Sequence, residues 1–166
     1  MTVTPYLFFD GRTEEAIDFY KQALGAEVEM LMRYKESPDP LPPDMVPPGN
    51  EDKVMHACIR INGEPMMLSD GGCSNAAKFD GFSLSVNAKD EAEADRMFEG
   101  LAKGGEVRMP MGPTFFAKRF GMVADKFGVG WMVIVEPEEA WARKRTRAAA
   151  TAARCALKRK RIFRTH

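Results

Sequence analysis

Apolar and polar positions along this chain change period, and the same change occurs twice. Pro5–Phe9 is a short apolar run of strand character. Thr13 stands where a helix cap is expected, with Glu14 and Glu15 at the positive end of the helix dipole. Ala16, Ile17, Tyr20, Ala23 and Leu24 form one stripe at helical spacing, and Gly25 stops it. The period then drops to two. Val28, Met30, Met32 and Tyr34 alternate with Glu27, Glu29 and Arg33, which predicts a half-buried strand.

The pattern returns 79 positions later. Glu14, Phe19, Ala23, Gly25 and Met30 fall on Glu93, Phe98, Ala102, Gly104 and Met109. Phe82–Val86 opens the second half, Asp90 with Glu93 resembles a capping box, and Ala94, Met97, Phe98 and Leu101 form the second stripe. In the first half, Val54–Ile61 and Pro65–Asp70 flank Asn62-Gly63, a two-residue hairpin signal. Glu106–Met109, Thr114–Phe120, Met122–Asp125 and Trp131–Val135 are the predicted strands after the second helix. These hairpins match at an offset of 65, with Gly63, Met67 and Leu68 on Gly128, Met132 and Val133. Each half therefore reads β-α-β-β-β, and a duplicated unit implies two similar halves sharing one sheet or core.

The two offsets place a net insertion in the first half. Six of the chain's eleven prolines lie between Pro38 and Pro48, so residues 35–53 are the natural place for it. Such an excursion is a lid, a binding loop or a mobile insertion.

Composition separates two parts of the 166-residue chain. Residues 1–142 carry all 24 acids and 14 Lys/Arg, a balance of −10, whereas residues 143–166 carry 10 Lys/Arg and no acid. The expected organisation is a domain over 1–142, with modules at about 4–78 and 79–137, and a basic extension over 143–166. No apolar run approaches the ~20 residues of a membrane helix. The first residues show no secretory signal, and Cys58, Cys73 and Cys155 lack metal-ligand spacing. Reduced thiols in the cytoplasm are expected, with no membrane partner.

Two β-α-β-β-β modules, with Tyr6-Leu-Phe-Phe, Glu15-Ala-Ile-Asp-Phe-Tyr and Leu24-Gly-Ala, resemble the glyoxalase/bleomycin-resistance/extradiol-dioxygenase superfamily, the vicinal oxygen chelate fold. Pro5-Tyr6-Leu7, Met66-Met67-Leu68-Ser69-Asp70 and Asp125-Lys-Phe-Gly-Val-Gly-Trp-Met132 are similar to its PhnB-like branch. The resemblance spans about residues 4–136. It implies an α+β fold whose modules curl a mixed sheet around a cavity, and a homodimer. It also implies four metal-ligand positions, which fall near Pro5, Met67, Gly81 and Met132. None of these four ligates a hard divalent ion, which needs about three N or O side-chain ligands. Their neighbours Tyr6, Leu68, Phe82 and Val133 make no better set. No metal or other cofactor is therefore predicted, and lactoylglutathione lyase and dioxygenase activities are disfavoured. Some PhnB-like proteins are labelled ubiquinone methyltransferases. No Gly-rich loop follows an early strand here, so methyl transfer is disfavoured as well.

The remaining candidates are weighed against structural roles. His56, the one histidine of the domain, shares a strand face with Val54, Cys58 and Arg60, and an imidazole can serve as a general base. The alternative is a hydrogen-bonded structural histidine. Asp70 is a candidate base or ligand anchor, or else a turn former, and Asp125 reads as a turn cap. Cys58 lies roughly 7 Å along the strand from His56, too far for direct proton transfer. Phe8, Phe116, Trp131, Met67 and Met132 suggest a ring-lined, adaptable pocket, and Lys118 supplies a cation for a flat or anionic ligand. Alternation groups Phe116, Lys118 and Phe120 on one strand face.

The expected function is metal-independent binding of a small organic molecule. One alternative is a lyase, isomerase or dioxygenase that recruits a divalent metal through His56, Asp70 or the proline-rich loop. Another is an interaction protein acting through its tail. For residues 143–166 electrostatics favours phosphate backbones, so nucleic-acid contact competes with a non-functional extension of a bacterial enzyme-like domain.

Overall fold

The computed structural model describes residues 3–39, 48–71 and 77–137. The basic extension, Cys73, Cys155 and the middle of the proline-rich stretch lie outside the described residues. The first module runs β1 (Tyr6–Phe8), α1 (Thr13–Leu24), β2 (Glu27–Arg33), a single 3-10 turn (Tyr34–Glu36), β3 (Val54–Ile61) and β4 (Glu64–Ser69). The second runs β5 (Leu84–Asn87), α2 (Glu91–Ala102), β6 (Glu106–Gly112), β7 (Arg119–Ala124) and β8 (Gly130–Val135). This is the expected α+β pair of β-α-β-β-β modules.

The strands hydrogen-bond as two separate four-stranded mixed sheets, ordered β1-β4-β3-β2 and β5-β8-β7-β6. In each sheet the module's first strand runs parallel to its last, and the other pairs are antiparallel. The duplication holds at the level of register. Tyr6 faces Met67 and Cys58 faces Met30, while Ser85 faces Met132 and Met122 faces Met109. Even the irregularities repeat, with register shifts at Val28/Met30 and at Val107/Met109. The offset is 79 for Met30 and Met109 but 64 for their partners Cys58 and Met122. The insertion therefore lies between β2 and β3, where the prolines cluster.

Both helices pack one apolar stripe into a core shared by the modules. Ala16, Ile17, Tyr20, Ala23 and Leu24 are buried on α1, and Ala94, Met97, Phe98 and Leu101 on α2. The helices touch at Ala23 and Gly100, where a Cβ on Gly100 would sit 2.9 Å from Ala23 Cα. Gly25 closes α1 in the left-handed region, its N–H donating to Lys21 O.

Three local expectations change. Thr13 is not the cap of α1. It is the first helical residue, and its N–H donates to the Asp70 carboxylate at 2.8 Å. At α2, Asp90 does cap the Glu93 N–H, but the Glu93 carboxylate reaches back to the Lys89 N–H instead of Asp90. Thr114–Phe120 is not a strand. The paired strands are β6, extended to Gly112, and β7, which begins at Arg119. Residues 113–118 form the connection, where Thr114 N donates to Ala117 O.

Candidate functional site

Each sheet buries one face against the helices and leaves the other open. On the first sheet Leu7, Leu68, Ala57 and Ile59 face the core, so the residues between them face outward. That open face carries one row formed by Tyr6, Met67, Cys58 and Met30. Phe8 opposite Ser69 and Met32 opposite His56 follow two residues along. Phe8 is 56% exposed, Tyr6 41% and Met30 39%.

Tyr6 Oη lies 2.9 Å from His56 Nδ1, and the two rings are 5.5 Å apart. Strand β4 separates their backbones, a gap of about 10 Å across two strand spacings. The side chains must therefore lean over β4 to meet. Phe8 continues this aromatic surface, its ring 5.0 Å from that of Tyr6. Next along the face, Arg60 pairs with Glu29 at 3.0 Å, and the Cys58 thiol donates to the same carboxylate at 3.4 Å. Burial, then the Glu29 carboxylate, pushes the Cys58 thiol above its ordinary range, the opposite of an activated nucleophile. The Arg60 guanidinium holds the Glu29 carboxyl below its ordinary range.

The open face of the second sheet is built at matching positions from Ser85, Met132, Met122 and Met109. Phe120 stands where the first sheet has His56. Its ring meets that of Phe116 at 5.1 Å. Phe116 and Lys118 lie in the β6–β7 connection, so the shared strand face expected of them does not form. Phe116 nonetheless reaches Phe120 from that connection.

Register moves two of the four superfamily positions: Tyr6, not Pro5, faces Met67. The counterpart of Tyr6 in the second module is Ser85, facing Met132, whereas Gly81 precedes β5 in a left-handed conformation. The corrected donors are a phenol, a hydroxyl and two thioethers. That set does not fit a hard divalent cation. Among the described residues, no three His, Cys, Asp or Glu side chains converge as a metal cluster.

Two further candidates take core positions. Asp70 is 2% exposed, and its carboxylate oxygens accept from Thr13 N at 2.8 Å and Val54 N at 2.7 Å. It ties the start of α1 to β3 instead of lining an open face. Trp131 is 2% exposed and faces the helices, against Tyr20, with Nε1 donating to Asp125. It cannot share an outward face with its neighbour Met132. Trp131 does border a cleft of about 670 Å³ at the seam between β1, β4 and β5. Phe8, Met67, Phe116, Lys118 and Met132 do not line that cleft. Asp125 accepts from Phe127 N and Val129 N, the turn-capping role expected of it.

The residue that sequence reasoning missed is Tyr6 as the partner of His56. The signal was the strand order, which brings β1 to within one strand of β3.

Residues 1–134 match a family model described as 3-demethylubiquinone-9 3-methyltransferase. Protein YjdN of Escherichia coli is 36% identical over 146 residues, covering 84% of this chain and 98% of YjdN. The solved structure of a PhnB protein from Bacillus cereus is similar at 34% identity and TM-score 0.66, covering 81% of this chain and 99% of that one. A glyoxalase-related enzyme from Fulvimarina pelagi shares the fold, at 19% identity and TM-score 0.55, over 82% of this chain and 88% of its own.

Proposed function

This chain belongs to the family described as 3-demethylubiquinone-9 3-methyltransferase, and from that premise we propose that it is a PhnB-like binding protein for a small organic molecule. The ligand lies on the open face of the first sheet, without the superfamily's metal centre. The carrying observation is the register-matched row of Tyr6, Met67, Cys58 and Met30, flanked by Phe8 and Met32. Rings and thioethers are kept solvent-accessible on one side of a rigid sheet. Exposed apolar groups in such register mark a contact surface, not a packing remainder.

We extend the proposal to a cytoplasmic homodimer. The second sheet presents a matching face of Ser85, Met132, Met122 and Met109. A second copy can set that face opposite the first, leaving a ring-lined space between them. The methyl transfer in the family's description is not adopted for this chain. Gly11 is the lone glycine between β1 and α1, and the sheets are not of the doubly wound parallel type that cradles a nucleotide cofactor at a strand–helix turn.

Titration with the neutral probe N-phenyl-1-naphthylamine, followed by fluorescence, tests the binding surface. Saturable binding by the wild type and at least fivefold weaker binding by Phe8→Ala/Met67→Ala are expected. Equal affinity in the two proteins would place the surface elsewhere. Sedimentation equilibrium reads the dimer, and a monomer at tens of micromolar would remove that part of the proposal. A stoichiometric transition metal in the purified protein would overturn the metal-free reading.

A further inference from the structure

We propose that Tyr6 and His56 act as one specificity-determining pair that selects a flat ring compound bearing a hydroxyl group. The inference rests on the small-molecule reading of this face and narrows it.

The phenol and the imidazole share one proton across the 2.9 Å contact, and neither makes another hydrogen bond among the described residues. If Tyr6 donates to Nδ1, the pair is left with a free Nε2–H donor and a free oxygen lone pair. If Nδ1–H donates to Tyr6, the pair is left with a free O–H donor and a free Nε2 lone pair. Both arrangements present one donor and one acceptor. A ligand hydroxyl at Nε2 donates to its lone pair or accepts from its N–H, so it is matched in either state. An ether or a ketone only accepts and is left unmatched at Nε2 whenever that nitrogen carries the lone pair.

The surroundings define the rest of the ligand. The Phe8, Tyr6 and His56 rings follow one another at 5.0 and 5.5 Å with interplanar angles of 32° and 31°. Such tilted neighbours make a shallow, continuous π surface suited to a planar ring. Met67 and Met30 add thioethers that adapt to its outline. Arg60 on this face pairs with Glu29 at 3.0 Å, and Glu27 stands opposite it in the register. Among the described residues the face thus carries no surplus of cations for an anion, and it favours a neutral ligand. The second module confirms how local the device is: at the position matching His56 it has Phe120, and opposite Met132 it has Ser85.

The test compares 2-naphthol with 2-methoxynaphthalene, which share a ring system and differ by a methyl on the oxygen. Binding is measured by fluorescence titration of the full chain. The wild type is expected to bind 2-naphthol about tenfold more tightly, the scale of one hydrogen bond made or missed. Tyr6→Phe and His56→Phe are expected to abolish that ratio. The second substitution copies the residue already present at 120. Equal affinity of the wild type for both compounds, or a preserved ratio in either variant, overturns the pair and leaves the binding surface standing. Failure of the wild type to bind either compound overturns the surface and the pair together.

Discussion

Tyr20 and Asp125 are 105 positions apart in the chain, yet Tyr20 Oη donates to Asp125 Oδ2 at 2.7 Å inside the shared core. The same oxygen accepts from Trp131 Nε1 at 2.9 Å, and the other oxygen accepts from Phe127 N and Val129 N. One carboxylate therefore holds helix α1 of the first module against the β7–β8 turn of the second. Burial first, then the Asp125 charge, raises the Tyr20 phenol well above its ordinary range.

Removing that carboxylate leaves a phenol, an indole N–H and two backbone amides without partners in the core. Asp125→Ala is expected to lose about 3–5 kcal/mol, the range for breaking a buried charged network. Tyr20→Phe removes one donor and is expected to lose about 1.5–3 kcal/mol. Urea denaturation monitored by circular dichroism checks both. A loss below about 1 kcal/mol for Asp125→Ala would show that the modules are joined by other contacts.

Tyr20 also sets an alkaline limit. Its folded-state value is raised, so the stability it contributes is complete below the ordinary tyrosine range, near pH 10, and is lost as pH rises beyond it. The midpoint of urea unfolding is expected to fall from about pH 10 upward, and Tyr20→Phe should lower that alkaline sensitivity. Parallel alkaline limbs for the two proteins would contradict the assignment.

At the acid end the group to watch is Glu15. Its carboxylate accepts from Arg12 and from Lys126, which reaches it across the module boundary, and its pKa is lowered to about 2. The lowered value means that its contribution is present above the ordinary carboxyl range, near pH 4.3, and is lost as pH falls toward about 2. Glu15 is 45% exposed, so solvent and salt screen the pair and the expected contribution is below about 1 kcal/mol. Glu15→Gln should flatten the acid limb of stability between those limits. The flattening should disappear in 1 M salt.

Local patterns carried the architecture because register repeats with them. The 79-residue offset read from Met30 and Met109 is the offset of two equivalent bulged strands. What stayed hidden depended on partners distant in sequence. Thr13 looked like a cap by local rule, whereas the acceptor at the helix start comes from Asp70 at the end of β4. Placing Trp131 and Met132 in one pocket conflicted with strand alternation, and alternation won. The resemblance implies Pro5 and Gly81, and the register moves those matches to Tyr6 and Ser85. The Tyr6–His56 contact needed the strand order, since no rule of spacing joins residues 50 positions apart.

Gly100 tests whether the helix–helix contact or helix propensity dominates. In an exposed helix, Gly→Ala gains about 1 kcal/mol. Here the added methyl would lie 2.9 Å from Ala23 Cα, a backbone atom that cannot rotate away. Overpacking of this kind costs about 1–3 kcal/mol. Gly100→Ala is therefore expected to be net destabilising, with a lower urea midpoint and an unchanged slope. A stabilised variant would show that α1 and α2 can separate freely.

Asp70 provides the sharpest separation of structural from chemical roles. Both of its oxygens are engaged by backbone amides, at Thr13 and at Val54, and the side chain is buried. Asp70→Asn keeps one acceptor and turns an NH₂ toward the other amide, so two donors face each other. A loss of about 1–3 kcal/mol in unfolding free energy is expected. Because the carboxylate lies on the core side of the fold, the folded variant should bind 2-naphthol with wild-type affinity. A variant of unchanged stability that no longer binds would move Asp70 to the ligand site and require the open face to be redrawn around it.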